Sequence, residues 1–479
     1  VYKRQKLSGA TTGGGHSGSW FTPAELILLN TMETKGWTIS TLDRGKLVNF
    51  QMTNCDFHDY AGTGSGSQGM RLTYYSSKSS YCQIYDSKFN CGWSPGQCDN
   101  VIVRNFDFSE ACFAITGRNV LYDNCYVHDN TTNNRELFVA DLGPMATLFT
   151  GVYPDYTDPT GCTYFVPNTS HSADDLENAA LYVMSNQGAG QSRIIVSCQP
   201  TETKGLYRMT FDSPFQVAPN RNSGCIIRRS RENMYFINNS YYNGSCVGFF
   251  GGVTGVVYDG NTYQRVGNQY LWAWGGDPNW YCSLNNEKTI YDPFFMTSVG
   301  TEADSGFTSF IVRCGNLKYL RAIVFRNCDF AGRRLTIMLN RNDSLVDLLV
   351  DKCAFSNSEM GIYSDCNVYG GAGMDGVLLY GLSFTNVDTP YARLSESINA
   401  KNSLNVARVK IMGDTYSDFL LGDVNLDGKI SLKDCTMIKM YLAKMIELTD
   451  EQLARADRNQ DGRVNLKDST SILMLDILS

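Results

Sequence analysis

Short runs of alternating apolar and polar residues, each broken by a single Asn, Gly or Asp, recur through most of the chain. LYDNCYV from Leu121, VFRNCDF from Val324 and LVDKCAF from Leu349 are near copies, with cousins at Val48, Val103, Tyr235 and Val257. Each unit is a β run, a polar break and a second β run that closes on an aromatic or branched residue. The closing residues are separated by 19 residues from Phe89 to Phe108, 19 from Phe108 to Val127, 22 from Tyr241 to Tyr263 and 25 from Phe330 to Phe355. Periods of that size predict stacked coils. The predicted fold is mainly β: a right-handed parallel β-helix over residues 6–415, with Asn at the corners because it tolerates the left-handed backbone region. Asn54, Asn124 and Asn327 are expected to stack as an internal ladder, and Cys55, Cys125, Cys328 and Cys353 to share one interior position as free thiols. An antiparallel sandwich would instead show turn signals every 8 to 12 residues. A bridge among Cys82, Cys91 and Cys98 stays open.

The rhythm stops over residues 137–229, where Pro144, Pro154, Pro159 and Pro167 and a Gly-rich run from Asn186 to Ile195 predict an inserted loop or small β lobe. That run lacks the Gly-Lys-Ser/Thr of a phosphate loop.

The pattern changes again at the end of the chain. Asp423, Asn425, Asp427 and Gly428 are repeated 34 residues later as Asp457, Asn459, Asp461 and Gly462. Ca²⁺ takes six to eight oxygens, which a 12-residue loop supplies from positions 1, 3, 5, 7, 9 and 12. The first loop offers Asp423, Asn425, Asp427, the Lys429 carbonyl, Ser431 and Asp434, and the second Asp457, Asn459, Asp461, the Arg463 carbonyl, Asn465 and Asp468. Helical spacing of apolar residues follows each loop. No good entering helix precedes the first loop, and position 12 is Asp in both, so neither is an ordinary EF-hand. Residues 418–479 resemble a type I dockerin, the small α-helical module that plugs a protein into a cohesin on a cellulosome scaffold. The resemblance implies two structural Ca²⁺ ions, a cohesin partner, an extracellular setting and a plant cell-wall polysaccharide substrate. It places recognition on Leu432 and Lys433, and again on Leu466 and Lys467, a pseudo-twofold arrangement that would let a cohesin bind in either orientation.

Composition narrows the field. The net charge is 41 − 48 = −7, with no basic run, which argues against nucleic acid as a partner. No apolar run reaches the ~18 residues of a membrane span. Residues 1–5 read as the translation of a sequencing adapter, so the natural N-terminus is expected to lie outside the chain and a missing signal peptide carries no weight.

The coil body resembles the pectate-lyase-like β-helix proteins, which present long grooves to polymers. Their acid pairs and calcium signature are not found, so no catalytic residue is carried over. From the residues themselves, His58-Asp59 and His128-Asp129 end corresponding strands, and a His held by a carboxylate can transfer protons. Arg135, Glu136 and Asp141 follow the second pair and could neutralise a uronate or act as acid or base. Trp272, Trp274, Trp280 and Tyr281 could stack on sugar rings, with Asp277 projecting from the turn between them; Arg333 and Arg334 are weaker candidates. Lyase, glycoside hydrolase and non-catalytic binder all remain open.

Overall fold

The computed structural model describes residues 19–21, 27–30, 33–35, 39–41, 49–58, 70–71, 80–90, 94–109, 113–129, 138–142, 146–167, 171–229, 231–273, 279–292, 308–314, 319–338, 344–364, 373–392, 407–417, 422–427, 430–458 and 462–478. The chain is mainly β with a helical C-terminal part. Its body is a stack of coils in which strands pair in parallel with their counterparts one coil above and below.

Among the described residues, most strands of the stack fall into three columns. The first runs from Ile27–Asn30 through Arg118–Asp123, Glu232–Ile237, Asn279–Asn285 and Tyr319–Arg326 to Ala407–Met412. The second runs from Glu33–Lys35 through Asp56–His58, Tyr126–His128, the front of Ser240–Gly251 and Lys288–Ile290 to Thr415–Ser417. Phe138–Leu142, the later part of Ser240–Gly251, Thr308–Cys314 and Arg333–Met338 belong to the third. The spacing read from the sequence is the register itself: Phe89 pairs with Phe108, Phe108 with Val127, Tyr241 with Tyr263 and Phe330 with Phe355. These closing residues face inward and stack ring on ring, with centroids 5.1 Å apart for Phe57 and Phe89, 5.2 Å for Tyr241 and Tyr263 and 4.9 Å for Phe330 and Phe355. Such pairs add to the burial of apolar area that drives the coils together.

The corner asparagines form a ladder, but on the outside. Asn54, Asn124 and Asn327 are exposed and left-handed, with φ of 50°, 55° and 52°. Nδ2 of Asn124 donates to Oδ1 of Asn105 at 2.8 Å, and Nδ2 of Asn105 donates to Oδ1 of Asp86 at 2.8 Å. The expected internal position is corrected by strand alternation: the residue after each corner asparagine turns inward, so the asparagine faces out. That inward position holds Cys55, Cys125, Cys328 and Cys353, all buried free thiols. Between Cys125 and Cys328 the same position carries Asn239, Asn261 and Glu287, a buried polar ladder. Oδ1 of Asn239 accepts from the Cys125 amide, Oδ1 of Asn261 from the Asn239 amide at 2.8 Å, and Oε1 of Glu287 from the Asn261 amide at 3.2 Å.

The insertion is an antiparallel β lobe. Its strands run from Ala146–Phe149 to Gly224–Arg229 around a core of their own that includes Tyr164, Leu181, Ile195 and Phe211. It begins later than residue 137, because Phe138–Leu142 is still a strand of the stack. Coils interrupted by the lobe nevertheless pair in register, Val127 with Tyr241. The lobe lies against the first column through Ala180, Tyr182, Met184, Ile226 and Trp280.

Candidate functional site

Among the coil-body candidates, His128 has the most developed surroundings. It ends Tyr126–His128 on the second column, with Nε2 3.0 Å from Oδ1 of Asp107 and Nδ1 2.8 Å from Oδ2 of Asp129. The Tyr126 ring stacks on the imidazole at 4.1 Å. Partial burial opposes charge on the ring, but the hydrogen bonds to Asp107 and Asp129 outweigh it and hold the imidazole above its ordinary range. Asp129 is left-handed, with φ of 54°, and accepts from Nδ2 of Asn243 at 2.6 Å. Desolvation works against its charge, yet the bonds from Asn243 and His128 hold its carboxyl below the usual range. With both ring nitrogens engaged by carboxylates, His128 is a proton donor or a structural cation rather than a free base. Asp107 was not a sequence candidate, although its register partner is Tyr126, two residues before His128.

The two His-Asp pairs do not converge. Phe57 pairs with Phe89, Asn90 with Ser109 and Ser109 with His128, so His58 and His128 lie three rungs apart on one column. At ~4.8 Å per rung that is about 14 Å, too far for one reacting centre. Asp141 falls on the third column in register with Phe250, Phe250 with Trp272, and Trp272 with Arg313, which puts a carboxylate residue, two aromatic residues and a cationic residue on successive rungs.

Two of the expected sugar platforms have other work. Trp280 is 1% exposed and meets Tyr182 of the lobe edge-on at 5.5 Å, so it packs the lobe onto the stack and cannot offer its face to a sugar. The Tyr281 hydroxyl donates to the Gly190 carbonyl at 2.9 Å, and Nη1 of Arg321 donates to the Ala189 carbonyl at 3.2 Å. The Gly-rich run is thus a docking tip of the lobe. Arg333 is buried and donates through Nη1 to the Gly267 carbonyl and to Oε1 of Gln269, a corner brace rather than a substrate contact. Arg334 is buried with its guanidinium over the Tyr363 ring at 4.7 Å. Asp59, Arg135, Glu136, Trp274 and Asp277 lie outside the described residues, as do Cys91, Lys429, Asn459 and Asp461.

At the C-terminus, both acidic loops close onto helices. Ser431 caps Leu432–Leu442 in a capping box with Asp434, whose Oδ2 accepts from the Ser431 amide at 2.8 Å. Thirty-four residues on, Oδ2 of Asp468 accepts from the Asn465 amide at 2.8 Å, the same bond at the head of Leu466–Leu478. Oδ1 of Asp423 and Oδ1 of Asn425 accept from the Asp427 amide at 3.0 and 2.8 Å, and Oδ1 of Asp434 from the Asn425 amide at 2.9 Å, gathering positions 1, 3 and 12. Asp423, Asp434 and Asp468 are almost fully buried. Arg455 approaches Asp423 at 3.7 Å. Burying Asp423 and Asp434 in one loop is costly without a cation, and an all-oxygen donor set of this kind suits Ca²⁺. The two helices meet where Sγ of Cys435 lies 2.9 Å from Oγ of Ser469, residues that are themselves 34 apart, so the two halves are related by a pseudo-twofold axis. Between them, Asp450–Ala456 forms a further short helix capped by Thr449.

The model of the type I dockerin domain matches residues 421–473. This segment is a type I dockerin domain. Dockerins of this type characteristically bind calcium. No curated protein matches the chain. Two solved structures of a GH87 alpha-1,3-glucanase catalytic domain, one holding tetrasaccharides and one nigerose, align at 8% identity and a TM-score of 0.27. They cover 81% and 83% of this chain, which spans 59% and 64% of theirs, less than two thirds of their length. A likeness that low bears on neither reaction nor substrate. On the dockerin, Leu432 is 49% and Leu466 63% exposed, each followed by an exposed lysine. Leucines that open helices and yet stay in solvent are unburied apolar surface at equivalent points of the two halves.

Proposed function

We propose that the chain is an extracellular, cellulosome-associated, polysaccharide-active protein. Its dockerin binds a scaffold cohesin, and its coil body acts on a plant cell-wall polymer. The observation that carries the reading is the dockerin itself, with both acidic loops and both exposed Leu-Lys pairs, joined to a long stack of parallel strands. Two Ca²⁺ ions fill the loops, held by Asp423, Asn425, Asp427, Lys429, Ser431 and Asp434 and by Asp457, Asn459, Asp461, Arg463, Asn465 and Asp468. The coils take the right-handed sense that parallel crossovers favour.

Within the body, His128 serves as the proton donor to a glycosidic oxygen, because Asp107 and Asp129 favour its charged form and leave it no free nitrogen to act as a base. Asp141 and Trp272, two rungs apart on the third column with Phe250 between them, are the positions assigned to the polymer path. Hydrolysis and β-elimination both need such a donor, so the products decide between them. The purified chain would be incubated with pectin, alginate, xylan and an α-1,3-glucan. New reducing ends without ultraviolet absorbance mean hydrolysis, and unsaturated ends mean elimination. Retention of a polymer without product removes the catalytic part, and neither retention nor product on any polymer removes the reading of the body.

A further inference from the structure

The seam between the lobe and the stack buries a positive charge whose own partners are neutral. Arg228, on the last strand of the lobe, is 1% exposed. Its Nη1 donates to the Gly252 carbonyl and its Nη2 to the Tyr182 hydroxyl at 3.1 Å. Among the described residues no carboxylate pairs with it directly. Glu232 is one step removed: it accepts from the Tyr182 hydroxyl at 2.6 Å, and its neighbour on the preceding rung is Arg118. A buried charge is normally paired, because neutral hydrogen bonds alone do not offset its loss of water. Tyr182 gathers further donors at the same place. Its hydroxyl reaches Glu232 and its ring meets Trp280 edge-on at 5.5 Å, so it spans Thr254, which lies between those two in register. The Arg228 guanidinium lies over the same ring at 4.7 Å. Nε of Arg228, Nε1 of Trp280 and Oγ1 of Thr254 are all buried without a hydrogen-bond partner. The first two can only donate, and the hydroxyl can donate as well. Water would answer the donors and leave the charge; an anion answers both. Three single donors from three side chains suit a spherical monovalent anion better than a carboxylate or phosphate, which favour paired donors.

We infer that the seam is a halide site, in which a chloride-sized anion accepts from Nε of Arg228, Nε1 of Trp280 and Oγ1 of Thr254. Arg228 belongs to the lobe and the other two residues to the stack, so the ion ties one to the other. It is bound only where lobe and stack meet, and by mass action it stabilises their contact. Seating of the lobe in this way is independent of which polymer the body acts on.

The test is hydrogen exchange on the full chain in calcium, comparing sodium bromide with sodium gluconate, an anion too large to be enclosed, at equal ionic strength. Exchange along Ala179–Ser185 and Gly224–Arg229 should be about tenfold slower in bromide, while the aromatic stack around Phe355 should not respond. Thr254→Val and Trp280→Phe each remove one donor and keep most of the packing, and each should shrink the bromide effect to about twofold or less. Equal exchange in bromide and gluconate for wild type would overturn the site. So would a full bromide effect in both variants, which would put the ion elsewhere. If one variant does not fold, the other decides. In crystals grown with bromide, a bromine anomalous peak should touch Nε of Arg228. A water there without anomalous signal, or peaks confined to the surface as adventitious ions only, would also overturn it.

Discussion

At the residue scale, Glu287 is a carboxylic acid enclosed in surroundings that oppose its charge. It fills an interior rung, accepting from the Tyr263 hydroxyl at 2.6 Å and from Nδ2 of Asn261 at 3.0 Å. Burial outweighs those donors, and the carboxyl is pushed from 4.5 up to about 8. The sign follows from proton linkage. Below the unfolded value both states hold the proton and the contribution is fully present. Between about 4.5 and about 8 only the unfolded chain ionises, so stability falls with rising pH, by up to ~1.4 kcal/mol per unit, and then levels off. Glu287→Gln keeps an acceptor for Asn261 and cannot ionise. Urea unfolding of the coil body between pH 5 and pH 9 should show that fall in wild type and a shallower one in the variant, which is then the more stable protein at pH 9. Equal slopes would mean that Glu287 is charged in the folded state.

At the element scale, the lobe is a self-contained sheet that needs an anchor, and Trp280 supplies it. Its ring is buried against Tyr182, which also lies under the Arg228 guanidinium at 4.7 Å and donates to Oε1 of Glu232 at 2.6 Å. Trp280→Ala should cost about 3–5 kcal/mol, the usual range for deleting a buried aromatic. Hydrogen exchange should show lost protection first along Ala179–Ser185 and Gly224–Arg229, while the aromatic stack around Phe355 keeps its protection. Trp280 also marks where sequence reasoning stopped. The coil period was legible because closing aromatics stack once per turn, and the chain carries that period at Phe89, Phe108 and Val127 without interruption. Whether a tryptophan beside a strand meets sugar or a lobe depends on the fold of residues roughly 100 positions earlier, and no local pattern records it. The corner asparagines were legible as left-handed residues, but their face was not, because one step of strand alternation separates inside from outside. The partnership of Asp107 with His128 was hidden for a related reason: the two meet only once the coils are in register.

At the scale of the whole molecule, the coil stack and the dockerin are held together by different physics, and they should come apart under different conditions. The stack rests on burial of Phe, Val, Leu and Cys side chains in one continuous interior. The dockerin core is small, with Val424, Cys435, Ile438, Ala456 and Ile472 fully or almost fully buried, and domains of that size lean on metals for stability. Chelation should therefore shift only one of two calorimetric transitions, the smaller one, to lower temperature and abolish cohesin binding, while the larger transition of the stack stays in place. The Leu-Lys pair that recurs in both halves adds a second outcome. Replacing Leu432 and Lys433 with alanine leaves the Leu466 and Lys467 face intact, so cohesin binding in calcium should persist at reduced affinity, and replacing all four should remove it. Loss of all binding from the first pair alone would mean that only one face is used. The pseudo-twofold axis through Cys435 and Ser469 would then be a relic of the repeat rather than a choice of orientation.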